Sequence, residues 1–105
     1  MNDTTPASAA APPPAAPITP VSVPRIGRGF RLQWEPAQQA NVLLYPEGMV
    51  TLNGSAGEIL KRCDGTRAIA AIVTDLEQAF GQAGLEGDVV AFVELAVRQR
   101  WLEIP

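Results

Sequence analysis

Histidine is absent from the 105 residues, and cysteine occurs once, at Cys63. The first absence removes the commonest general base and the commonest metal ligand. The second excludes an internal disulfide and suits a cytoplasmic location, where thiols stay reduced. No apolar run approaches the roughly 20 residues that cross a bilayer, so no membrane association is expected. The N-terminus lacks the basic start and unbroken apolar core of a secretory signal. Positive charge is in the minority, with 8 Lys and Arg against 11 Asp and Glu and a formal net charge of −3. A mildly acidic chain gains little from counterion release, so nucleic acid is not an expected partner.

Proline is plentiful but unevenly placed. Seven of the ten prolines lie in Met1–Pro24, where Asp3 is the only charge. That stretch has no periodic apolar face, and its prolines block both helix and sheet interior. It reads as a disordered, partly polyproline-like arm over residues 1–24. The remainder, residues 25–105, forms one domain near the size at which a single core just suffices.

The domain is organised around Tyr45–Gly65. Pro46-Glu47-Gly48 reads as a turn, with φ fixed at Pro46 and a positive φ open to Gly48. Asn53 or Ser55 can cap the helix that follows, and Glu58 stands three residues after Ser55, the capping-box spacing. Ala56, Ile59, Leu60 and Cys63 share one helical face. Asp64-Gly65 then stops the helix, with Gly65 suited to a left-handed exit.

Before this unit, Phe30, Leu32 and Trp34 alternate with Arg31, Gln33 and Glu35, the pattern of a half-buried strand. Asn41–Tyr45 is an apolar strand expected to pair on both edges. Met49–Leu52 is the third strand, so the three form a small antiparallel sheet by hairpin logic. After the first helix, Thr66 can cap a second, whose core face is Ile69, Ile72, Val73, Leu76 and Phe80. The stretch Gly81–Gly84 breaks it. The third helix spans Glu86 to Trp101, with Asp88 near its start and Arg98 and Arg100 near its end, as the helix dipole favours. Its apolar arc exceeds an ordinary core face. Val89, Phe92, Val93, Ala96 and Val97 cover the core side, and Val90, Leu95 and Trp101 widen it. Such an arc fits either a helix buried between neighbours or one whose second flank lines a groove, and a domain of about 80 residues has few layers with which to bury a helix on several sides. Three strands followed by three helices make an α+β domain, winged helix-turn-helix-like, with the second and third helices as the helix pair.

Nothing here reads as a catalyst. Cys63 lies on an apolar face with no base to activate it. Asp75 and Glu77 point in different directions on their helix. No metal-ligand spacing and no phosphate loop is present. Arg67, Arg98 and Arg100 make no basic stripe of the kind a winged-helix nucleic-acid binder uses. The class that fits is a peptide- or protein-binding module. The third strand, Met49–Asn53, is expected at a sheet edge and carries neither Lys nor an internal Pro to defend it. The same open edge permits a homodimer by strand pairing.

At these residues the chain resembles the PqqD family, the small proteins of pyrroloquinoline quinone (PQQ) biosynthesis. The resemblance runs from about Pro24 to Ile104. It is carried by Phe30-Arg31-Leu32-Gln33-Trp34-Glu35, Leu43-Leu44-Tyr45-Pro46-Glu47-Gly48, Leu52-Asn53, Ala56-Gly57-Glu58-Ile59-Leu60, Cys63-Asp64-Gly65, Asp88-Val89 and Trp101-Leu102. It implies a peptide-recognition domain without cofactor. Such a domain binds the precursor peptide PqqA and presents it to the radical S-adenosylmethionine (SAM) enzyme PqqE. It implies further that the peptide adds as a strand beside Met49, Val50, Thr51, Leu52 and Asn53 and packs on the third helix. Val90, Val93, Val97 and Trp101 are the candidates there. Two alternatives remain: a winged-helix nucleic-acid-binding protein, and a recognition domain of another ribosomal-peptide pathway. Four or five edge hydrogen bonds at about 0.5–1.5 kcal/mol each fall short of the roughly 8 kcal/mol of micromolar binding, so apolar anchors must enter the groove.

Overall fold

The computed structural model describes residues 17–105, and the apolar run at its centre is the middle strand of a sheet. In chain order the elements are β1 (Arg25–Ile26), β2 (Arg31–Glu35), β3 (Ala40–Tyr45), β4 (Gly48–Thr51), α1 (Gly54–Lys61), α2 (Ile69–Phe80), α3 (Glu86–Arg98) and β5 (Leu102–Glu103). β3 pairs antiparallel with β2 on one side and β4 on the other. The expected α+β order of three sheet strands followed by three helices holds.

Register decides which side chains face the helices. Leu32, Leu43 and Val50 lie opposite one another across the three strands, and so do Gln33, Val42 and Thr51. Directly opposed residues share a face. Leu43 belongs to the core cluster with Leu60, Ile69, Ile72, Leu76, Val93 and others, so its face is the inner one. The outer face carries Arg31, Gln33 and Glu35 on β2 and Met49 and Thr51 on β4. The β3–β4 turn differs from expectation. No residue from Pro46 to Gly48 takes a positive φ, and Gly48 is already in β4.

The helix ends follow capping chemistry, not always at the expected residue. Asn53, rather than Ser55, caps α1: its Oδ1 accepts the Ala56 N–H at 2.8 Å. Glu58 makes no capping box and instead binds Lys61 and Arg62. The α1 C-cap is Arg62, so the left-handed Gly65 lies beyond the helix, where its N–H donates to the Pro24 carbonyl. Thr66 bonds Asp64 and does not cap α2. α2 ends at left-handed Gly81, with Gln82 N–H returning to the Glu77 carbonyl. α3 ends sooner than expected, at Arg98. Arg100 N–H bonds the Val97 carbonyl, Trp101 N–H bonds the Ala96 carbonyl, and Arg100 sits at φ 68°, a Schellman motif without glycine.

Two features were invisible in the sequence. β1 and β5 pair antiparallel, Arg25 with Glu103 and Ile26 with Leu102, joining the two ends of the domain. Gly27 follows, and a Cβ there would collide with the Arg100 carbonyl oxygen. The second feature corrects the expected disorder of Met1–Pro24 for its last part. Pro24 is fully buried, and Ile18 packs against the core. The Ser22 and Pro20 carbonyls accept the N–H groups of Ile69 and Ala70. The rest of that expectation, residues 1–16, lies outside the described residues.

Candidate peptide-binding site

β4 is an edge strand, and its ladder determines which backbone groups remain open. Leu52 N–H donates to the Asn41 carbonyl at 3.0 Å, so the Leu52–Asn41 pair is hydrogen-bonded. Antiparallel pairs alternate between bonded and non-bonded. Along the observed register, Val50 and Gly48 therefore also bond β3, while the N–H and C=O of Met49 and Thr51 point away from the sheet. No other backbone hydrogen bond engages Met49 or Thr51 among the described residues.

The five expected edge residues thus divide by role. Met49 and Thr51 offer open backbone groups, and the Met49 side chain is 48% exposed on the outer face. Val50 is half-buried on the inner face against the core. Leu52 is a core residue with an inward backbone, and Asn53 has its side chain committed to the α1 cap. Thr51 Oγ1 also reaches Gln38 Oε1 at 3.3 Å.

The α3 residues divide as well. Val93 is fully buried, so the expectation that it lines a groove is corrected: it lies in the middle of the core stripe with Val89 and Ala96. Val90 and Val97 are half-buried on one flank of that stripe. Trp101 does not join them. Its ring lies 6.5 Å from Phe92, on the opposite flank about 140–160° around the axis. Phe92, expected on the core face alone, is half-buried beside Trp101. All four half-buried residues pack against the core cluster, as Val50 does. An extended chain on β4 would have four open backbone groups beside it.

Arg62 bridges α1 and α2 by bonding both Glu58 and Asp75, and it holds both carboxyls below their usual range. Burial, with a contribution from Asp64, pushes the Cys63 thiol up to about 12, and its Sγ donates to the Ile59 carbonyl. A neutral, bonded thiol inside the core is inert. Among the described residues no group of His, Cys, Asp or Glu could hold a metal ion, and no helix is long and apolar enough to cross a membrane.

Comparison with known proteins agrees with this arrangement. The chain is 54% identical over 83 residues to a PqqA binding protein of Stutzerimonas stutzeri, covering 78% of this chain and 90% of the relative. It is 57% identical over 84 residues to one of Pseudomonas aeruginosa, covering 79% and 91%. It is 48% identical over 82 residues to one of Klebsiella pneumoniae, covering 77% and 89%. Its fold superposes with a TM-score of 0.69, at 31% identity, on the solution structure of the PqqD truncation of Methylobacterium extorquens PqqCD. That structure covers 82% of this chain and 94% of its own, and is described as a functional, stand-alone recognition element for ribosomally synthesised, post-translationally modified peptides. The family model for coenzyme PQQ synthesis protein D matches residues 41–102, from the middle strand through the last helix to β5. With the sheet, the helices and the chain's order all in common, this protein belongs to the PqqD family.

Proposed function

We propose that the chain is a non-catalytic, cytoplasmic peptide-binding protein of PQQ biosynthesis that takes the precursor peptide PqqA as an added strand on β4. It presents the peptide to the radical SAM enzyme PqqE. The observation that carries the binding mode is the open β4 edge, where Met49 and Thr51 direct unpaired N–H and C=O groups outward. Relatives named as PqqA binding proteins supply the identity of the peptide. About four edge hydrogen bonds contribute too little alone for micromolar binding, so apolar side chains of the peptide must be buried against Val50 and either Val90 with Val97 or Trp101 with Phe92. Val93 and Leu52 support this surface from beneath.

The test is a titration of ¹⁵N-labelled protein with PqqA, read by amide shifts. Strand addition predicts large shifts at Met49 and Thr51 and along one flank of α3. Shifts confined to the outer sheet face or to α2 would discard this site while keeping a binding role. No shift at high peptide concentration would sink the reading. The net charge of −3 disfavours the nucleic-acid alternative, and a low-salt gel shift with duplex DNA is expected to show no complex.

A further inference from the structure

The β4 edge carries one polar group that the backbone ladder does not use. Tyr45 ends β3 and stands opposite Gly48, the first residue of β4. It lies two residues from Leu43, so its side chain is on the inner face. The Phe30 ring packs beside it, 5.4 Å away and tilted by 40°. The far end of the Tyr45 ring reaches β4. A Cβ added to Gly48 would stand 3.4 Å from the Tyr45 Oη and 3.6 Å from its Cζ, and apart from the adjoining residues nothing else would lie within 4 Å. The phenol therefore rests over the glycine, and the space above Gly48 is otherwise open. Tyr45 is half-buried, and among the described residues its Oη makes no hydrogen bond.

We propose that the Tyr45 phenol selects one side chain of the docked peptide, a residue ending in a carboxylate or amide oxygen. This rests on the reading that PqqA adds as a strand on β4. An added strand bonds Met49 and Thr51, so its residues opposite Gly48 and Val50 fall in non-bonded pairs, where side chains stand closest. Both of those peptide residues point to the inner face, two apart in sequence. The one opposite Val50 meets an apolar side chain. The one opposite Gly48 meets no side chain from β4 and finds the phenol in that place. Water serves Oη while the edge is open. A docked strand covers it, and a polar group buried without a partner is costly. The peptide's main-chain N–H and C=O at this position lie in the sheet and turn away from β4, so the partner comes from a side chain. An acceptor oxygen suits the O–H, which donates to an amide in an ordinary bond and to a carboxylate in a charge-assisted one. Val50 and Tyr45 thus read two positions of the peptide, one apolar and one polar. They fix its register along an edge whose backbone groups are the same for any sequence.

Tyr45→Phe keeps the ring and its contact with Phe30 and removes only the O–H, so its urea midpoint should match that of the native chain. Calorimetric titration of the full chain with PqqA should show a Kd raised about three- to tenfold. Each Asp, Glu, Asn and Gln of PqqA is then changed in turn to Ala. One such peptide should bind the native protein about as weakly as PqqA binds the Tyr45→Phe protein. Against Tyr45→Phe it should lose less than about twofold more, because both changes remove the same bond. A tyrosine that only supports the fold would show no such coupling. An unchanged Kd for Tyr45→Phe overturns the proposal, and so do losses that add at every peptide position. Thr51→Pro separates this failure from that of strand addition. A folded Thr51→Pro protein that binds PqqA normally removes both readings. One that fails to bind, beside a Tyr45→Phe protein that binds normally, removes the role of the phenol alone.

Discussion

Ile69 donates its main-chain N–H to the Ser22 carbonyl at 2.8 Å, and Ala70 donates to Pro20 at 2.9 Å, so α2 is capped by a segment that precedes the whole sheet. The α2 N-cap, Ala68, has no side chain able to do this. A chain beginning at residue 25 should therefore be less stable than one beginning at residue 17. Two hydrogen bonds and the burial of Pro24 predict a loss of about 2–4 kcal/mol, read from urea melts. Equal midpoints would show that this segment adds nothing.

Proline separates the two sides of β4. At Thr51 or Met49 it removes an outward N–H and leaves the β3 ladder intact. At Val50 it removes a ladder hydrogen bond. Thr51→Pro should keep its circular dichroism spectrum and lose PqqA binding by at least about tenfold in calorimetric titration, whereas Val50→Pro should destabilise the sheet. Normal binding by a folded Thr51→Pro protein would exclude β4 as the docking edge.

Val93 and its neighbours behave differently under charge. Val93→Asp places a carboxylate in the middle of the core and should unfold the domain, costing about 3 kcal/mol or more. Val90→Asp and Trp101→Ala lie on opposite flanks and should leave the fold intact. One of them should raise the PqqA Kd by about tenfold or more and the other by less than about threefold. Equal effects would refute a groove on a single flank.

Stability should fall at both ends of the pH scale, for opposite reasons. Arg62 lowers the carboxyl pKa values of Glu58 and Asp75, while the Arg28 N–H, with Arg25, lowers that of Glu103. Groups depressed in the folded state stabilise it above their unfolded values of roughly 4 and lose that contribution as pH falls further. Cys63 is raised, to about 12, so its contribution is intact below the ordinary thiol value and is lost as pH rises toward 12. Urea midpoints across pH should show both flanks, and the native thiol should resist alkylation at pH near 8 until denaturant is added.

Arg100 occupies the left-handed end of α3 at φ 68°. A residue with a Cβ is strained there by about 1 kcal/mol, and glycine is not. Arg100→Gly should raise the melting temperature by a few degrees, and a lower one would mean that the Arg100 side chain makes a compensating contact.

The sheet and helices were legible because their signals are periodic: Arg31–Glu35 alternates, and Ile69–Leu76 repeats every three or four residues. The β1–β5 pair was not, since two residues per strand carry no period. The docking of Pro20–Pro24 was hidden because the caps are backbone carbonyls, which every residue possesses. Helical angles showed that the α3 arc was wide. They could not show that Trp101, beyond the helix end, folds back toward Phe92, nor that Val93 lies at the middle of the buried stripe.

The β1–β5 pair bears on how the domain is made. Arg25 and Glu103 are 78 residues apart in the chain yet joined side chain to side chain, and the Glu103 carboxylate also accepts the Arg28 N–H at 2.8 Å. Closing so long a loop costs entropy that only the finished core can offset. The first strand of the domain therefore cannot lock until Leu102 and Glu103 are in place beside it. Fraying of β5 would uncover Ile26 and loosen both strands together, so opening at one of them is opening at the other.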